Sequence, residues 1–200
     1  MEKTKQALII FMKYPESGKV KTRLAKDIGA QKACEIYKKL ISKTFEISRG
    51  VKADKLVFIN NENKISECKK IFRENFSWYS QIGNDLGQKM ANAFKQVFEL
   101  GYSKVIIIGS DCLHLTADII ENAFQIVKKQ KIVIGPASDG GYYLIGFNSN
   151  NFEKSYFEGI DWSTNKVYNQ TIKKIKVFTK LDTLNDLDTF EDLKKEGVFL

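Results

Sequence analysis

The sequence predicts an α/β domain built on a mostly parallel sheet, and two observations lead to this prediction. Short, continuous apolar runs rich in β-branched residues recur along the chain, as is typical of strands buried on both faces of a sheet. Longer segments with helical spacing of apolar residues lie between these runs. A chain of 200 residues can form one domain with a sizeable core and is short for two, so we expect a single domain over residues 1–200.

The individual elements follow from these two patterns. Four apolar runs predict buried strands and two later runs are further candidates: 7–11, 55–59, 104–109 and 131–135, then 142–147 and 175–179. Helical spacing predicts five helices, of which the fourth starts with Thr116 as its cap and the last ends at Gly197: 30–48, 64–76, 86–101, 116–129 and 189–197.

The charge balance is strongly basic, with a formal net charge of +8 and a pI of about 9.2. Arginine occurs only at positions 23, 49 and 73, so 29 of the 32 basic residues are lysine. These lysines are mixed with acidic residues along the whole chain, a pattern typical of solvated helix faces. We therefore expect no nucleic-acid partner, whereas an anionic small-molecule substrate is compatible with the charge.

The composition also indicates the cellular setting. No apolar run approaches the roughly 20 residues of a membrane span, and the apolar segment near the N-terminus is interpreted as a strand rather than as a signal peptide. The three cysteines are scattered and form no CxxC pair. We expect a cytoplasmic protein without a membrane span and without a structural zinc site.

In open α/β sheets, ligands bind beyond the carboxyl ends of the strands, which makes the loops there candidates for a site. The first is "KYPESGKVKTRL", residues 13–24, which lacks the spacing of a P-loop. Gly18 would let the backbone approach a ligand, and Lys19, Lys21 and Arg23 alternate, so in extended backbone they would point the same way. This arrangement suits a di- or triphosphate, and the alternative is a basic surface turn.

The second loop is "GSDC", residues 109–112, at the end of a predicted buried strand. Asp111 at this position can hold Mg²⁺ or Mn²⁺ against a substrate phosphate. The alternative is an Asx turn or a helix cap, although Thr116 is itself a competent cap. We interpret Cys112 as a small core residue and His114 as a packed or surface residue.

The third loop is "GPASDGGYYLIG", residues 135–146, which contains more glycine than a hairpin turn requires. A backbone passing close to a bound ring or sugar would explain the extra glycines, and a plain hairpin is the alternative. Asp139 could accept bonds from sugar hydroxyls or act beside a metal.

The fourth loop is "TLNDLDTFEDL", residues 183–193. Asp186 and Asp188 would face one way in extended backbone and could bind a metal. Either Thr189 or Asp188 could cap the last helix, which leaves at least one carboxylate spare.

These motifs, with "DWST" at 161–164, occur in the order found in the rSAM/selenodomain-associated transferase 1 family, which the chain resembles over nearly its whole length. These proteins are similar to nucleotide-diphospho-sugar transferases and are linked to arsenosugar glycosyltransferases. The resemblance implies a single GT-A, Rossmann-like α/β/α domain with a mostly parallel mixed sheet that binds a nucleotide or nucleotide-sugar with a divalent cation. One departure is Leu113, where the family usually has proline, which would stiffen the turn after Asp111.

The opening loop is also similar to that of 2-phospho-lactate guanylyltransferases and, more loosely, of molybdenum-cofactor guanylyltransferases. The resemblance implies that Lys19, Lys21 and Arg23 bind nucleotide phosphates, and that Asp111 and Asp188 bind the metal. Three further residues join the nucleotide-binding candidates: Lys13, Gly18 and Ser110.

The leading hypothesis is a metal-dependent glycosyltransferase with a nucleotide-sugar donor and a small-molecule acceptor. Asp111 and Asp139 are the predicted catalytic residues, and Mg²⁺ or Mn²⁺ is held by Asp111 with Asp186 or Asp188. The predicted sugar or acceptor pocket is lined by Gly140, Gly141, Tyr142 and Trp162.

The alternative hypothesis is a nucleotidyltransferase that joins a nucleoside triphosphate to a phosphorylated small molecule and releases pyrophosphate. A nucleotide-binding module without catalysis is a third hypothesis, and a homodimer is compatible with each.

Overall fold

A computed structural model describes residues 5–197 and shows seven strands in one sheet, packed between helices. The strands are β1 Gln6–Met12, β2 Asp54–Ile59, β3 Ser77–Ser80, β4 Lys104–Ile108, β5 Val133–Pro136, β6 Tyr142–Asn148 and β7 Thr179–Lys180. The helices are α1 Thr22–Ile28, α2 Ala30–Arg49, α3 Ile65–Phe72, α4 Leu86–Glu99, α5 Ala117–Lys128, α6 Val167–Ile175 and α7 Phe190–Glu196. Short 3₁₀ helices span Glu62–Lys64 and Lys154–Phe157.

The sheet is mixed but mostly parallel, with the strand order β3-β2-β1-β4-β6-β5-β7. Strand β1 is parallel to both β2 and β4, β2 is parallel to β3, and β5 is parallel to β7. Strand β6 is antiparallel to its two neighbours, β4 and β5. The carboxyl ends of β1 and β4 therefore lie side by side at one edge of the sheet.

Both faces of the sheet are buried, which explains the continuous apolar runs. In β1, Leu8 and Ile10 pack against the side that carries α2, α3 and α5, whereas Ile9 and Phe11 pack against the side that carries α4 and α6. The prediction of a three-layer α/β/α domain is confirmed. Among residues 5–197, no helix combines the length and apolar character that crossing a membrane requires.

Five strand predictions and all five helix predictions match observed elements, with shifted ends in several cases. The predicted helix over 64–76 ends at Phe72 because Arg73 adopts a left-handed conformation with φ +53°. The predicted strand over 175–179 is wrong in most of its length. Ile175 is the last residue of α6, where it is buried on one face with Val167 and Thr171, and only Thr179 belongs to β7.

Candidate functional site

The centre of the candidate site is the buried ammonium group of Lys21. Its Nζ lies 2.9 Å from Oδ2 of Asp111 and 2.6 Å from Oδ1 of Asp188, and only 4% of the side chain is exposed. Burial alone would lower the pKa of Lys21, but the charges and hydrogen bonds of the two carboxylates more than offset this and raise it. Lys21 is therefore a permanent cation shared by two acids.

Asp111 reaches this position because it lies just beyond the carboxyl end of β4, with Gly109 and Ser110 between the strand and the aspartate. The C-terminal segment is held against it by backbone pairing. The Leu187 amide donates to the carbonyl of Asp111 at 3.2 Å, and Cys112 pairs with Asp186 in an antiparallel bridge. These contacts bring the predicted pair of aspartates beside Asp111.

The cap of α7 leaves Asp188 available for the site. Thr189 caps the helix, and Asp192 completes a capping box by accepting from the Thr189 amide at 2.8 Å. The Asp188 carboxylate instead bonds Lys21, and its second oxygen lies 4.0 Å from Nη1 of Arg23. Of the two predicted capping candidates, Thr189 is the one that caps.

Asp186 lies inside the same acidic group and has an unusual environment. Its Oδ1 is buried and accepts no hydrogen bond from any of residues 5–197. Burial, together with the negative charges of Asp111 and Asp139, raises the pKa of Asp186 above its usual range. A buried oxygen without a partner is costly unless a cation or donor binds there.

The chemistry of the Asp111, Asp186 and Asp188 carboxylates fits a divalent cation. Mg²⁺ and Mn²⁺ prefer oxygen ligands. The unpartnered oxygen of Asp186 is available as such a ligand and lies close to the other two acids. Within residues 5–197, no three side chains of the types His, Cys, Asp and Glu are already gathered around a point where a metal would sit. Lys21 bridges Asp111 and Asp188, the carboxylates that would have to converge.

The other cations of the opening loop do not share the direction of Lys21. Lys19 is 72% exposed and pairs with Glu16 at 3.0 Å, while Arg23 is 66% exposed and belongs to α1. The expectation that all three would align in extended backbone is wrong, because Lys21 is left-handed with φ +46° and the helix starts at the next residue. Gly18 has φ +80° and open space around it, so no packing contact explains this glycine.

Tyr37 of α2 ties the first two loops together. Its buried hydroxyl accepts a hydrogen bond from the Lys13 amide at 3.0 Å and shares another with the Ser110 hydroxyl at 2.9 Å. Ser110, predicted to bind nucleotide, thus uses its hydroxyl inside the protein. Burial, with a further contribution from Asp111, raises the pKa of Tyr37 to about 12, so the phenol stays protonated. The sequence did not single out Tyr37, which falls within the helix predicted over 30–48.

Gln81 is a second residue that the sequence did not single out. Its side-chain amide donates to the carbonyls of Met12 at 3.0 Å and Phe58 at 2.9 Å, which lie near the carboxyl ends of β1 and β2. These bonds hold the loop after β3 against the site edge. This role depends on β3, which is too short and too exposed to be visible in the sequence pattern.

The glycine-rich loop is explained by the protein's own packing. A Cβ on Gly140, which has φ +91°, would lie 2.3 Å from the Asn165 carbonyl, and the Tyr168 amide donates to the Gly140 carbonyl at 2.8 Å. The close approach expected from a sugar is therefore made by the chain that leads into α6. Asp139 accepts from the Gly141 amide at 2.8 Å, as in an Asx turn, while its charge acts on nearby Asp186.

Tyr142 and Trp162, both predicted to contact substrate, are also engaged in packing. The hydroxyl of Tyr142 points to Sδ of Met90 at 3.9 Å, in the layer that contains α4 and α6. The ring of Trp162 occupies the space that a Cβ on Gly87 would need and stacks on Phe157 with a centroid distance of 6.5 Å. Of the four residues predicted to line a sugar or acceptor pocket, Trp162 is the one that lines a cavity in the described part of the chain.

That cavity has a volume of about 440 Å³ and lies between the start of α4 and the segment 154–162. Besides Trp162, it is lined by Asp85, Gln88, Lys154 and Glu158 among others. Its lining includes none of the carboxylates around Lys21.

Two residues near the site take the modest roles expected of them. Cys112 is buried, and burial raises the pKa of its thiol to about 12, which leaves it unreactive. His114 is at the surface, where Nε2 lies 2.9 Å from the Glu196 carboxylate.

The comparisons with known proteins agree with this fold. Residues 44–164 match a family described as "Uncharacterized protein conserved in bacteria (DUF2064)". A solved structure described as a "putative nucleotide-diphospho-sugar transferase" from Desulfovibrio desulfuricans G20 is 32% identical, with a TM-score of 0.89 over 94% of this chain and 84% of that one. A search among curated proteins found no significant match.

Two more distant structures share the fold at low identity. A CMP:2-keto-3-deoxy-manno-octonic acid synthetase complexed with CTP is 10% identical, with a TM-score of 0.61 over 96% of each chain. Rv0371c from Mycobacterium tuberculosis H37Rv, complexed with manganese, is 11% identical, with a TM-score of 0.58 over 96% of this chain and 97% of that one. The expected class of the protein, a transferase, is also the class of its relative from Desulfovibrio desulfuricans, as that structure is described. Because the family model matches residues 44–164, which are more than half of the chain, the chain belongs to the DUF2064 family.

Proposed function

We propose that the protein is a metal-dependent glycosyltransferase that uses a nucleotide-sugar donor. The observation that carries this proposal is the group formed by Asp111, Asp186 and Asp188 around Lys21 at the carboxyl edge of the sheet. A nucleoside diphosphate leaving group carries several negative charges, so a site for it needs cations held in place. This group offers one cation of its own and oxygen ligands for a second.

In this proposal the three aspartates would hold Mg²⁺ or Mn²⁺, which when bound supplies charge neutralisation on the diphosphate. Lys21 and Arg23 lie next to that position and would bind phosphate oxygens. Lys19 and Lys13, which are exposed on the same loop, would add weaker, screened attraction for the nucleotide. Asp139 would hold the neighbouring turn and raise the local negative charge.

The comparisons support this proposal at the level of class. The relative from Desulfovibrio desulfuricans is described as a "putative nucleotide-diphospho-sugar transferase". One protein of the same fold was solved with CTP, and another was solved with manganese. Nucleotide and metal binding are extended from these proteins to this chain as part of the proposal.

A nucleotidyltransferase is the second candidate, and one observation favours it. Lys19, Lys21 and Arg23 all lie in the segment that runs from the end of β1 into α1, and a triphosphate would use more cations than a diphosphate does. In this reaction the phosphate of the second substrate attacks the α-phosphorus of the triphosphate, and pyrophosphate leaves.

A product assay separates the two candidates. The protein is first screened with nucleotides and nucleotide-sugars by thermal shift, with and without Mn²⁺. The best ligand is then incubated with candidate acceptors. Release of a nucleoside diphosphate from a nucleotide-sugar supports glycosyl transfer, whereas release of pyrophosphate from a triphosphate supports nucleotidyl transfer. If no nucleotide raises the melting temperature in either condition, both candidates are wrong.

The other sequence-based predictions remain part of the proposal. They are a small-molecule acceptor, no nucleic-acid partner and a cytoplasmic location, and a homodimer is compatible with them. Within residues 5–197, the cavity beside Trp162 is the candidate place for the acceptor. Its volume of about 440 Å³ suits a small ligand, and its lining combines an aromatic ring with polar and charged groups.

A further inference from the structure

Lys21 differs from the other cations of its loop in being committed to carboxylates. Its ammonium bonds Asp111 and Asp188 at 2.9 and 2.6 Å and is almost fully buried, while Lys19 and Arg23 remain mostly exposed. The oxygens that it bonds belong to two of the three acids proposed to hold the metal. Lys21 therefore occupies the place between the ligands, as a metal ion would.

The backbone directs Lys21 into this place from both sides. Val20 and Leu24 are buried, which anchors the chain before and after it. Lys21 itself is left-handed, with φ +46°, a conformation that is unfavourable for a residue with a side chain. Since the local chain disfavours this turn, the ion pair with the two carboxylates and the flanking packing must hold it.

An ammonium and a divalent cation cannot occupy one position between the same oxygens. Mg²⁺ requires its ligands at about 2.0–2.1 Å, so Asp111 and Asp188 would have to close around it after Lys21 moved away. The displaced ammonium would then be a buried charge without a partner, which is costly. It needs a new anion within reach, and a nucleotide phosphate bound to the metal is the anion that this site would supply.

We propose, on the basis of the function proposed above, that Lys21 is a tethered cation that stands at the metal position until metal and nucleotide bind together. In the nucleotide-free protein it holds the carboxylates in place and competes with divalent cations for them. When a metal–nucleotide complex binds, Lys21 moves from the carboxylates to a phosphate oxygen. Metal and nucleotide therefore bind with positive coupling, and each raises the affinity for the other by the same factor.

The test measures Mn²⁺ affinity without nucleotide, by titration followed through the electron paramagnetic resonance signal of free Mn²⁺. In Lys21→Met the competitor is gone, and we expect Mn²⁺ to bind at least about tenfold more tightly than in the wild type, since charge-assisted bonds to both acids are lost. In Lys21→Arg the competing charge is kept, and we expect weak binding like that of the wild type.

Lys26→Met is the matched control. Lys26 is exposed on α1 and its loss changes the net charge by the same amount, so we expect less than a twofold change in Mn²⁺ affinity. An Mn²⁺ affinity of Lys21→Met that is equal to or weaker than that of the wild type overturns the proposal. It would mean that Lys21 helps to bind the metal or that no metal binds at these carboxylates.

A second measurement uses the wild type and does not depend on how well Lys21→Met folds. Lysine ammonium groups labelled with ¹⁵N are followed by NMR, where a buried, hydrogen-bonded ammonium is protected from exchange. We expect the Lys21 signal to shift when Mg²⁺ and the nucleotide from the screen are added together. An unchanged signal at saturation overturns the proposal. Failure of the proposed function has a different readout, because no nucleotide would then bind the wild type in the thermal-shift screen. The Mn²⁺ titrations contain no nucleotide, so their result does not depend on that screen.

Discussion

Two regions that the sequence marked for ligand contact have different roles in the structure. In the charged region, the opening loop 13–24 and the segment 186–188 meet through Lys21, Asp111 and Asp188. In the packing region, the glycine-rich loop 135–146 lies against the chain at 165–168. The charged region gathers acids and a cation that nothing in the core requires, whereas the packing region uses its glycines to let two backbones approach. Substitutions should therefore affect chemistry in the first region and stability in the second.

The largest effect is expected for Asp111→Asn in the charged region. Asp111 bonds Lys21 and is proposed to hold the metal, so losing its charge should lower the transfer rate about thousandfold, with the best donor found in the screen. The fold should remain, because Asp111 is partly exposed. Initial rates and circular dichroism measure the two effects.

Asp182→Asn is the control for this substitution. Asp182 is exposed on the neighbouring segment, and its backbone carbonyl, not its carboxylate, accepts the Tyr143 hydroxyl. Its rate should stay within about twofold of the wild type, as is usual for surface positions. A rate for Asp111→Asn above one tenth of the wild-type rate would remove Asp111 from the machinery.

In the packing region, Gly140→Ala should lower the free energy of unfolding by about 3 kcal/mol. The added Cβ meets the Asn165 carbonyl, and the residue has φ +91°. Gly18→Ala is the control, since Gly18 has φ +80° but open space, and should lose only about 1–2 kcal/mol. Urea denaturation compares them, and equal losses would show that the approach of Asn165 does not matter.

Tyr37→Phe lies between the two regions in kind, because Tyr37 positions the loops without belonging to the charged group. Losing its bonds to the Lys13 amide and the Ser110 hydroxyl should weaken nucleotide binding about tenfold. Calorimetric titration measures this. Tyr143→Phe, which loses only the bond to the Asp182 carbonyl at 3.1 Å, should stay within about twofold. If both variants bind alike, Tyr37 has no positioning role.

The smallest effect is expected for Lys19→Met, which sharpens the difference within the charged region itself. Lys19 is exposed and paired with Glu16, so its contact with a phosphate is screened, and nucleotide affinity should fall only about two- to threefold. The difference should vanish in high salt. A loss above tenfold would place Lys19 beside Lys21 as a phosphate ligand.

Much of the fold could be predicted because burial on both faces leaves a strong pattern. Strand β1 is apolar at every position from Ala7 to Met12, and α5 carries its own cap at Thr116. The elements that were missed or misassigned have weaker local signals. The four residues of β3 are half-exposed, and the apolar residues around Ile175 and Val177 read as a strand although Ile175 ends α6.

The candidate site was predictable in its membership but not in its pairings. Asp111 could be singled out because a polar residue directly after a buried strand lies at the ligand-binding edge. The bond between Lys21 and Asp188 joins residues separated by 167 positions, and no local pattern encodes it. Likewise, extra glycines indicate a close approach, but the pattern does not say whether a ligand or, as with Asn165, the chain itself makes it.

The sequence alone determined the alternation of strands and helices, the edge where the acids gather and the spacing of Asp186 and Asp188. These properties depend on local periodicity and on the direction in which parallel strands run. Only the tertiary structure decided that Lys21 turns inward while Lys19 turns outward, and that Tyr37 joins two loops. The physical reason is that these side chains are placed by a left-handed turn and by partners distant in the chain, whose energies arise only when the sheet has assembled.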